Sequence, residues 1–349
     1  MDKIRALVVD DSAFMRRVIS DILDSDEDIE VVGTARNGED AIKKVESISP
    51  DVVTLDIEMP KMDGLTALSH IMSRCPTPVV MVSAMDKREA DIAVRSLECG
   101  AVDFISKPSK ITALGYKREE LLEKVKTAAM VDVKLLKFSL PETAYLKELA
   151  VPFADRELKV ITIGASTGGP KAVLEIVSGL PRDIPAAVLV VQHMGAGFTA
   201  SFAERLDTFS TWDVVEARDG EVLQQGKIIV APGDHHMTVD KKTINGQVTG
   251  VIRLNKGPKV NNVRPSVDVT MQSVAEVYGP AVLGVLLTGM GSDGANGMQT
   301  IKEKKGKTIA EDKSSCVVYG MPKAAIELGC VDKVVSLKDM NTKILETIS

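Results

Sequence analysis

Short runs of aliphatic and β-branched residues alternate with helical patterns along the chain, and this alternation limits the fold more than any other feature. Ala6 to Val9, Val31 to Thr34, Val52 to Leu55, Val79 to Val82 and Val102 to Ile105 form the first series. Strands joined through helices pair in parallel, because a parallel pair needs a long crossover, so the series predicts a parallel sheet with helices on its faces. Ser12 is placed to cap a helix over Phe14 to Leu23, and the segment 87–99 ends at Gly100, a residue suited to a helix C-terminus.

A second series follows: Lys159 to Ile163, Ala187 to Val191, Lys227 to Val230, Val282 to Leu287 and Thr308 to Ala310, with a last helix over Leu337 to Ile348. The chain has 349 residues, beyond the roughly 250–300 at which one core stops growing. The pattern weakens around Pro141 and Pro152. The expected organisation is therefore a first domain over 1–126, a linker over 127–156 and a second domain over 157–349, both domains being doubly wound α/β sheets.

Hydrophobic residues at 44% and charged residues at 26% exclude a disordered chain. The net charge of −6, without a basic stripe, argues against a nucleic-acid partner. Cys75, Cys99, Cys316 and Cys330 form no C-x-x-C pair, which points to reduced thiols in a cytoplasmic protein. No apolar stretch approaches the roughly 20 residues of a membrane span, and the N-terminus reads as a first strand rather than a leader, so direct membrane insertion is not expected.

Ligands of open parallel sheets bind beyond the carboxyl ends of the strands. In the first series those positions hold Asp10, Asp11, Asp56, Ser83 and Lys107. Three converging carboxylates repel unless a hard cation such as Mg²⁺ joins them, with the backbone carbonyl of Glu58 as a further oxygen. Asp56 is then placed to attack a phosphoryl donor, Lys107 to balance charge and Ser83 to hydrogen-bond an oxygen. Each acidic residue taken alone reads more readily as a strand end or helix cap than as a functional group; together, at successive strand ends, they point to a site.

The segments Val9-Asp10-Asp11-Ser12, Leu55-Asp56-Ile57-Glu58-Met59-Pro60, Asp63-Gly64, Ser83-Ala84 and Ser106-Lys107-Pro108 resemble a response-regulator receiver domain. The resemblance implies a flavodoxin-like fold, Asp56 as phosphoacceptor, Mg²⁺ on Asp11 and Asp56 with help from Asp10, and a histidine kinase as phosphodonor. Phe104 falls at the family's aromatic switch position, where a plain core aromatic is the alternative reading.

In the second series, a strand ending at Ile163 runs into Gly164-Ala165-Ser166-Thr167-Gly168-Gly169-Pro170 and then a helical pattern. Small residues around a serine at a strand-to-helix turn let the hydroxyl project near helix amides, as in G-x-S-x-G hydrolases. A glycine-rich phosphate cradle is the alternative. A hydrolase needs a base, and His193 follows a strand of the same sheet, with His235 and His236 as runners-up. Asp293, after the apolar run Val282 to Leu287, is placed to orient the imidazole, or simply to cap the next helix.

The segments Gly164 to Pro170, Gln192-His193-Met194, Ala231-Pro232-Gly233-Asp234-His235-His236, Arg264-Pro265-Ser266-Val267-Asp268 and Thr288 to Gly294 resemble the chemotaxis receptor methylesterases. The resemblance implies a Rossmann-like three-layer α/β/α esterase domain with Ser166, His193 and Asp293 as its catalytic residues and amides near Thr167 and Met290 for the oxyanion. It implies removal of γ-methyl esters, and in many members of glutamine amides, from methyl-accepting chemoreceptors without a cofactor. It further implies phosphorylation by a chemotaxis histidine kinase that relieves a cover over the esterase cleft. A phosphorylation-gated binding protein and a receiver-coupled transcription factor are the rivals; the missing basic helix-turn-helix pattern counts against the second.

Overall fold

In the computed structural model, residues 3–84, 87–107, 114–136, 158–244 and 247–349 are described. The chain divides into two compact units, Met1–Phe138 and Ser139–Ser349.

Continuous apolar runs are what a strand needs when helices cover both its faces. In the first unit these strands are β1 (Ile4–Val9), β2 (Ile29–Ala35), β3 (Val52–Asp56), β4 (Val79–Ser83) and β5 (Asp103–Ser106). They alternate with α1 (Ala13–Asp24), α2 (Gly38–Ile48), α3 (Gly64–Arg74), α4 (Lys87–Glu98) and α5 (Leu114–Ala129). Every residue of β3 and β4 is buried. The sheet is parallel with order β2-β1-β3-β4-β5, so the winding reverses between β1 and β3, where a ligand crevice opens. Ser12 caps α1 by accepting from the Met15 amide, as its sequence position predicts.

The boundary expected after residue 126 falls inside α5, which continues to Ala129 and is followed by a short 3-10 turn over Val133–Leu136. Residues 137–157, most of the expected linker, lie outside the described residues.

The second unit carries a seven-stranded sheet built from β6 (Lys159–Ala165), β7 (Ala186–Gln192), β8 (Asp213–Glu216), β9 (Lys227–Val230), β12 (Val282–Leu286), β13 (Lys307–Glu311) and β14 (Lys333–Val335). Its order is β14-β13-β12-β6-β7-β9-β8 and every pairing is parallel. The helices are α6 (Gly169–Gly179), α7 (Phe198–Phe209), α8 (Val267–Tyr278), α9 (Ala295–Glu303), α10 (Met321–Glu327) and α11 (Leu337–Ile348).

An antiparallel hairpin, β10 (His236–Ile244) with β11 (Gln247–Asn255), interrupts the α/β alternation and was not expected from it. Met237, Val239 and Ile252 turn inward to the same core as Met271 and Val274 of α8. Thr270 Oγ1 donates to the Met237 carbonyl at 2.7 Å and the Val239 amide donates to Ser273 Oγ at 3.0 Å. The hairpin thus fixes α8, whose N-terminus reaches the site described below.

Leu189, in the middle of the fully buried β7, has no solvent exposure. Leu189→Ala should cost roughly 2–5 kcal/mol through lost burial and the cavity left behind. Trp212, the chain's single tryptophan, is buried in the same unit with its indole N–H donating to the Leu180 carbonyl. Urea unfolding followed by tryptophan emission should therefore show the lowered midpoint directly.

Candidate active site

At the switch point of the first unit, ligand atoms from Asp10, Asp11 and Asp56 lie within 4.8 Å of one another. Asp10 and Asp56 are fully buried. Lys107 reaches across from the end of β5, its ammonium 2.7 Å from Asp56 Oδ1 and 3.2 Å from Asp10 Oδ2. Burial nonetheless pushes the Asp56 carboxyl up to about 7, against the pull of Lys107 and with help from the charges of Asp10 and Asp11. Asp56 Oδ2 is buried without a hydrogen-bond partner among the described residues. An all-oxygen cluster with a bare buried oxygen fits a hard divalent cation such as Mg²⁺.

The surrounding residues take definite places. Gly64, next to the α3 cap Asp63, lies so close to the Asp56 carbonyl that a Cβ would overlap it, which explains why a glycine stands there. The Ser83 hydroxyl donates to the Ala84 carbonyl at 2.8 Å and to Glu89 Oε2 at 3.2 Å. Glu89 is a buried carboxylate that sequence reasoning did not single out. The Glu58 side chain faces outward to Arg88 at 3.6 Å. Phe104 is buried, with the Lys124 ammonium 5.5 Å from its ring centre.

In the second unit, β6 is the middle strand of the trio β12-β6-β7. Ser166 therefore emerges between the strand that leads to His193 and the strand that leads to Asp293. The turn after β6 is held from both sides. The Ser166 amide donates to the Thr288 carbonyl at 3.0 Å, Gln192 Nε2 donates to the Ser166 carbonyl at 2.8 Å, and the Thr288 hydroxyl donates to the Thr167 carbonyl at 3.0 Å. Gly289 permits this approach, since a Cβ on it would stand 2.7 Å from Ser166 Cβ.

His193 and Asp293 meet directly, with Nε2 2.8 Å from Asp293 Oδ2. Asp293 is nearly fully buried, and burial alone would raise its carboxyl. His193, the Ser266 hydroxyl and the Val267 amide override that cost and hold it down to about 2. The donors are close: Ser266 Oγ at 2.7 Å and Asn261 Nδ2 at 3.0 Å on Oδ1, and the Val267 amide at 2.6 Å on Oδ2. Asp293 thus sits as an anion at the N-terminus of α8, where helix amides and dipole favour negative charge.

The other histidines are placed elsewhere. His70 lies in α3 of the first unit. His235 Nδ1 is 3.3 Å from the Gly233 carbonyl, and buried His236 opens β10 with Nε2 2.9 Å from the Pro258 carbonyl. Thr167 is buried, and Met290 is exposed in the loop after β12.

In the second unit, the parts played by three residues were not foreseen, although Ser266 lies in a segment that carries the resemblance. Asn261 and Ser266 hold Asp293, and buried Glu311, at the end of β13, accepts from the Thr288 amide at 2.8 Å. The Glu311 carboxyl is pushed up by burial. Ser266, directly before an apolar helix pattern, carried a cap signal; Asn261 and Glu311 carried none.

Comparison with known proteins matches this arrangement. Residues 161–344 match the CheB methylesterase family model and residues 6–118 the response regulator receiver domain model. The protein-glutamate methylesterase/protein-glutamine glutaminase of Pyrococcus horikoshii is 48% identical over 354 residues, spanning 99% of this chain and 93% of its own length. A Methanosarcina mazei relative of the same description is 45% identical over 353 residues, spanning 99% of this chain and 96% of its own. The crystal structure of the Thermotoga maritima CheB methylesterase catalytic domain superposes with a TM-score of 0.52 at 45% identity, covering 55% of this chain and 99% of that one. With one family model spanning most of its second unit and relatives aligned along its whole length, this chain belongs to the CheB methylesterase family, in the form that carries a response regulator receiver domain ahead of the esterase domain.

Proposed function

We propose that the chain hydrolyses glutamate γ-methyl esters on methyl-accepting chemoreceptors, with Ser166 as nucleophile, His193 as general base and Asp293 as the carboxylate that orients it. The 2.8 Å pairing of His193 with a buried, ionised Asp293 at the strands flanking Ser166 carries this reading. Because Nε2 is engaged by Asp293, its proton points at the carboxylate and Nδ1 is the nitrogen left to accept the serine proton. Ser166 Oγ attacks the ester carbonyl, its proton passes to His193, and the collapsing tetrahedral adduct expels methanol with that proton. Water repeats the sequence on the acyl enzyme and frees the glutamate carboxylate. Amides near Thr167 and Met290 are assigned to the oxyanion. A glutamine side chain follows the same course with ammonia as leaving group, in keeping with the second half of the relatives' names.

Phosphorylation of Asp56 by a chemotaxis histidine kinase regulates this activity. Asp11 and Asp56, with Asp10 behind them, would hold Mg²⁺, which when bound neutralises charge on the phosphoryl oxygens. Asp56 supplies the attacking oxygen, Lys107 balances the new charge, and the Ser83 hydroxyl must leave the Ala84 carbonyl and Glu89 to reach a phosphoryl oxygen. Among the described residues no helix is long and apolar enough to cross a membrane; the receptor is met as a partner, in the cytoplasm, as the family reading implies.

Methanol release from methylated receptor membranes should vanish in Ser166→Ala and fall on the order of 10³-fold or more in kcat for Asp293→Asn, which presents the wrong tautomer to the base. Release that persists in Ser166→Ala would exclude the serine mechanism. Treatment with Mg²⁺ and a small phosphodonor should raise the wild-type rate and leave Asp56→Asn unchanged.

The raised Asp56 carboxyl has a further consequence. Its folded pKa, about 7, lies above the ordinary 3.8, so the folded state binds the proton more tightly and stability falls as pH rises between those values. Without divalent cations, the first unit should be less stable at pH 8 than at pH 5. Asp56→Asn should remove that slope and add roughly 1–3 kcal/mol at pH 8, read as opening free energies from hydrogen exchange of β1 and β3 amides.

A further inference from the structure

Two buried carboxylates meet behind His193, and each serves the helix that the other one precedes or begins. Asp293, just ahead of α9, accepts from the first amides of α8: Val267 at 2.6 Å and Asp268 at 3.3 Å. Asp268, in the first turn of α8, accepts on Oδ1 from Gly294 and Gly297 at the start of α9, at 2.9 and 2.7 Å. The exchange locks the two helix starts together at the point where Asp293 must present Oδ2 to the imidazole. It also brings two carboxylates close, and burial together with the neighbouring Asp293 pushes the Asp268 carboxyl up.

Asn261 resolves that opposition. Its side-chain NH₂ stands 3.0 Å from Asp268 Oδ2 and 3.0 Å from Asp293 Oδ1, so its two protons serve one carboxylate each. A carboxylate has no proton to give there and an alkyl side chain has no donor at all, whereas the amide NH₂ offers two donors on one atom without adding charge. Asn296 adds a further donor to Asp268 Oδ2 at 3.2 Å. The backbone of Asn261 is left-handed, with φ of 51°, a conformation that asparagine and glycine accept more readily than other residues.

We propose that Asn261 is a positioning residue for the esterase, its amide bridging Asp268 and Asp293 so that the Asp293 carboxylate is held in the plane in which Oδ2 faces His193 Nε2. The inference rests on the esterase reading above. It adds to that reading a dependence of catalysis on an exposed side chain that hydrogen-bonds the two carboxylates behind the imidazole.

The test uses the full-length protein. Asn261→Gly accepts the left-handed backbone and deletes the side chain with its amide, and Asn261→Asp keeps the shape but turns the donor into an acceptor. Losing a hydrogen bond to a charged group should lower kcat for methanol release roughly 10-fold in Asn261→Gly, with KM for the receptor little changed. Asn261→Asp should lose more. The second readout needs no substrate: the downfield proton resonance of His193 Nε2–H, assigned by its disappearance in His193→Gln, should shift or broaden in both variants while circular dichroism and melting remain cooperative.

Unchanged kcat and an unchanged resonance in Asn261→Gly would overturn the proposal. So would an activity loss that follows only the unfolded fraction while the resonance of the folded protein stays in place. Should Asn261→Gly fold poorly, the same two readouts on Asn261→Asp decide. Wild-type protein that releases no methanol, yet whose resonance responds to Asn261→Gly, would defeat the esterase reading and leave the positioning contact standing.

Discussion

A carboxylate taken out of water at the edge of a parallel sheet must be met by donors or cations, because burial otherwise favours its neutral form. Much of this molecule's chemistry follows from how that demand is answered at different strand ends. Asp56 has one ammonium, Lys107, and two acidic neighbours. Asp293 has an imidazole, a hydroxyl, a side-chain amide and helix amides. The same residue type is consequently pushed up to about 7 in one unit and held down to about 2 in the other.

Those opposite settings suit opposite tasks. A carboxylate poorly provided with donors has an oxygen to offer, and a cation or a phosphoryl group relieves the site that receives it. A carboxylate surrounded by donors stays an anion throughout the physiological pH range and does not take the imidazole's proton; it stabilises the imidazolium by charge and fixes its direction. Glu311 is shifted in the same direction as Asp56. Its one backbone donor is the Thr288 amide and its carboxyl is pushed up, so its part is to hold Thr288, which in turn accepts from the Ser166 amide and donates to the Thr167 carbonyl.

Much of this was legible in the sequence because parallel sheets expose their chemistry at a predictable place. Once Ala6 to Val9, Val52 to Leu55 and Val282 to Leu287 read as strands, the residues just beyond them were the ones to weigh, and the pairing of His193 with Asp293 lies where that rule points. The hairpin β10–β11 was obscured because its inward residues, Met237 and Val239, alternate with polar ones instead of forming a run, although Asn245-Gly246 is a strong hairpin dipeptide. The strand β14 has three residues, two of them exposed, so no apolar run announced it. Asn261 gave no signal at all: its importance arises from a meeting of α8 and α9 that periodicity does not encode.

The choice of imidazole nitrogen links this local geometry back to the sheet. With Nε2 given to Asp293, the second ring nitrogen is Nδ1, the one nearer the main chain, so its position depends closely on the backbone. That backbone is fixed by strand pairing: the His193 amide donates to the Ala165 carbonyl at 3.1 Å, and Gln192, paired in register with Ala165, sends its side chain to the Ser166 carbonyl. Ser166 and His193 are therefore held in register by β6 and β7, while the loop after β12 supplies the Asp293 carboxylate. The loop after β12 also touches the Ser166 turn through Thr288, but the direction of the imidazole depends on Asp293, and Asp293 is held by the crossed helix starts of α8 and α9.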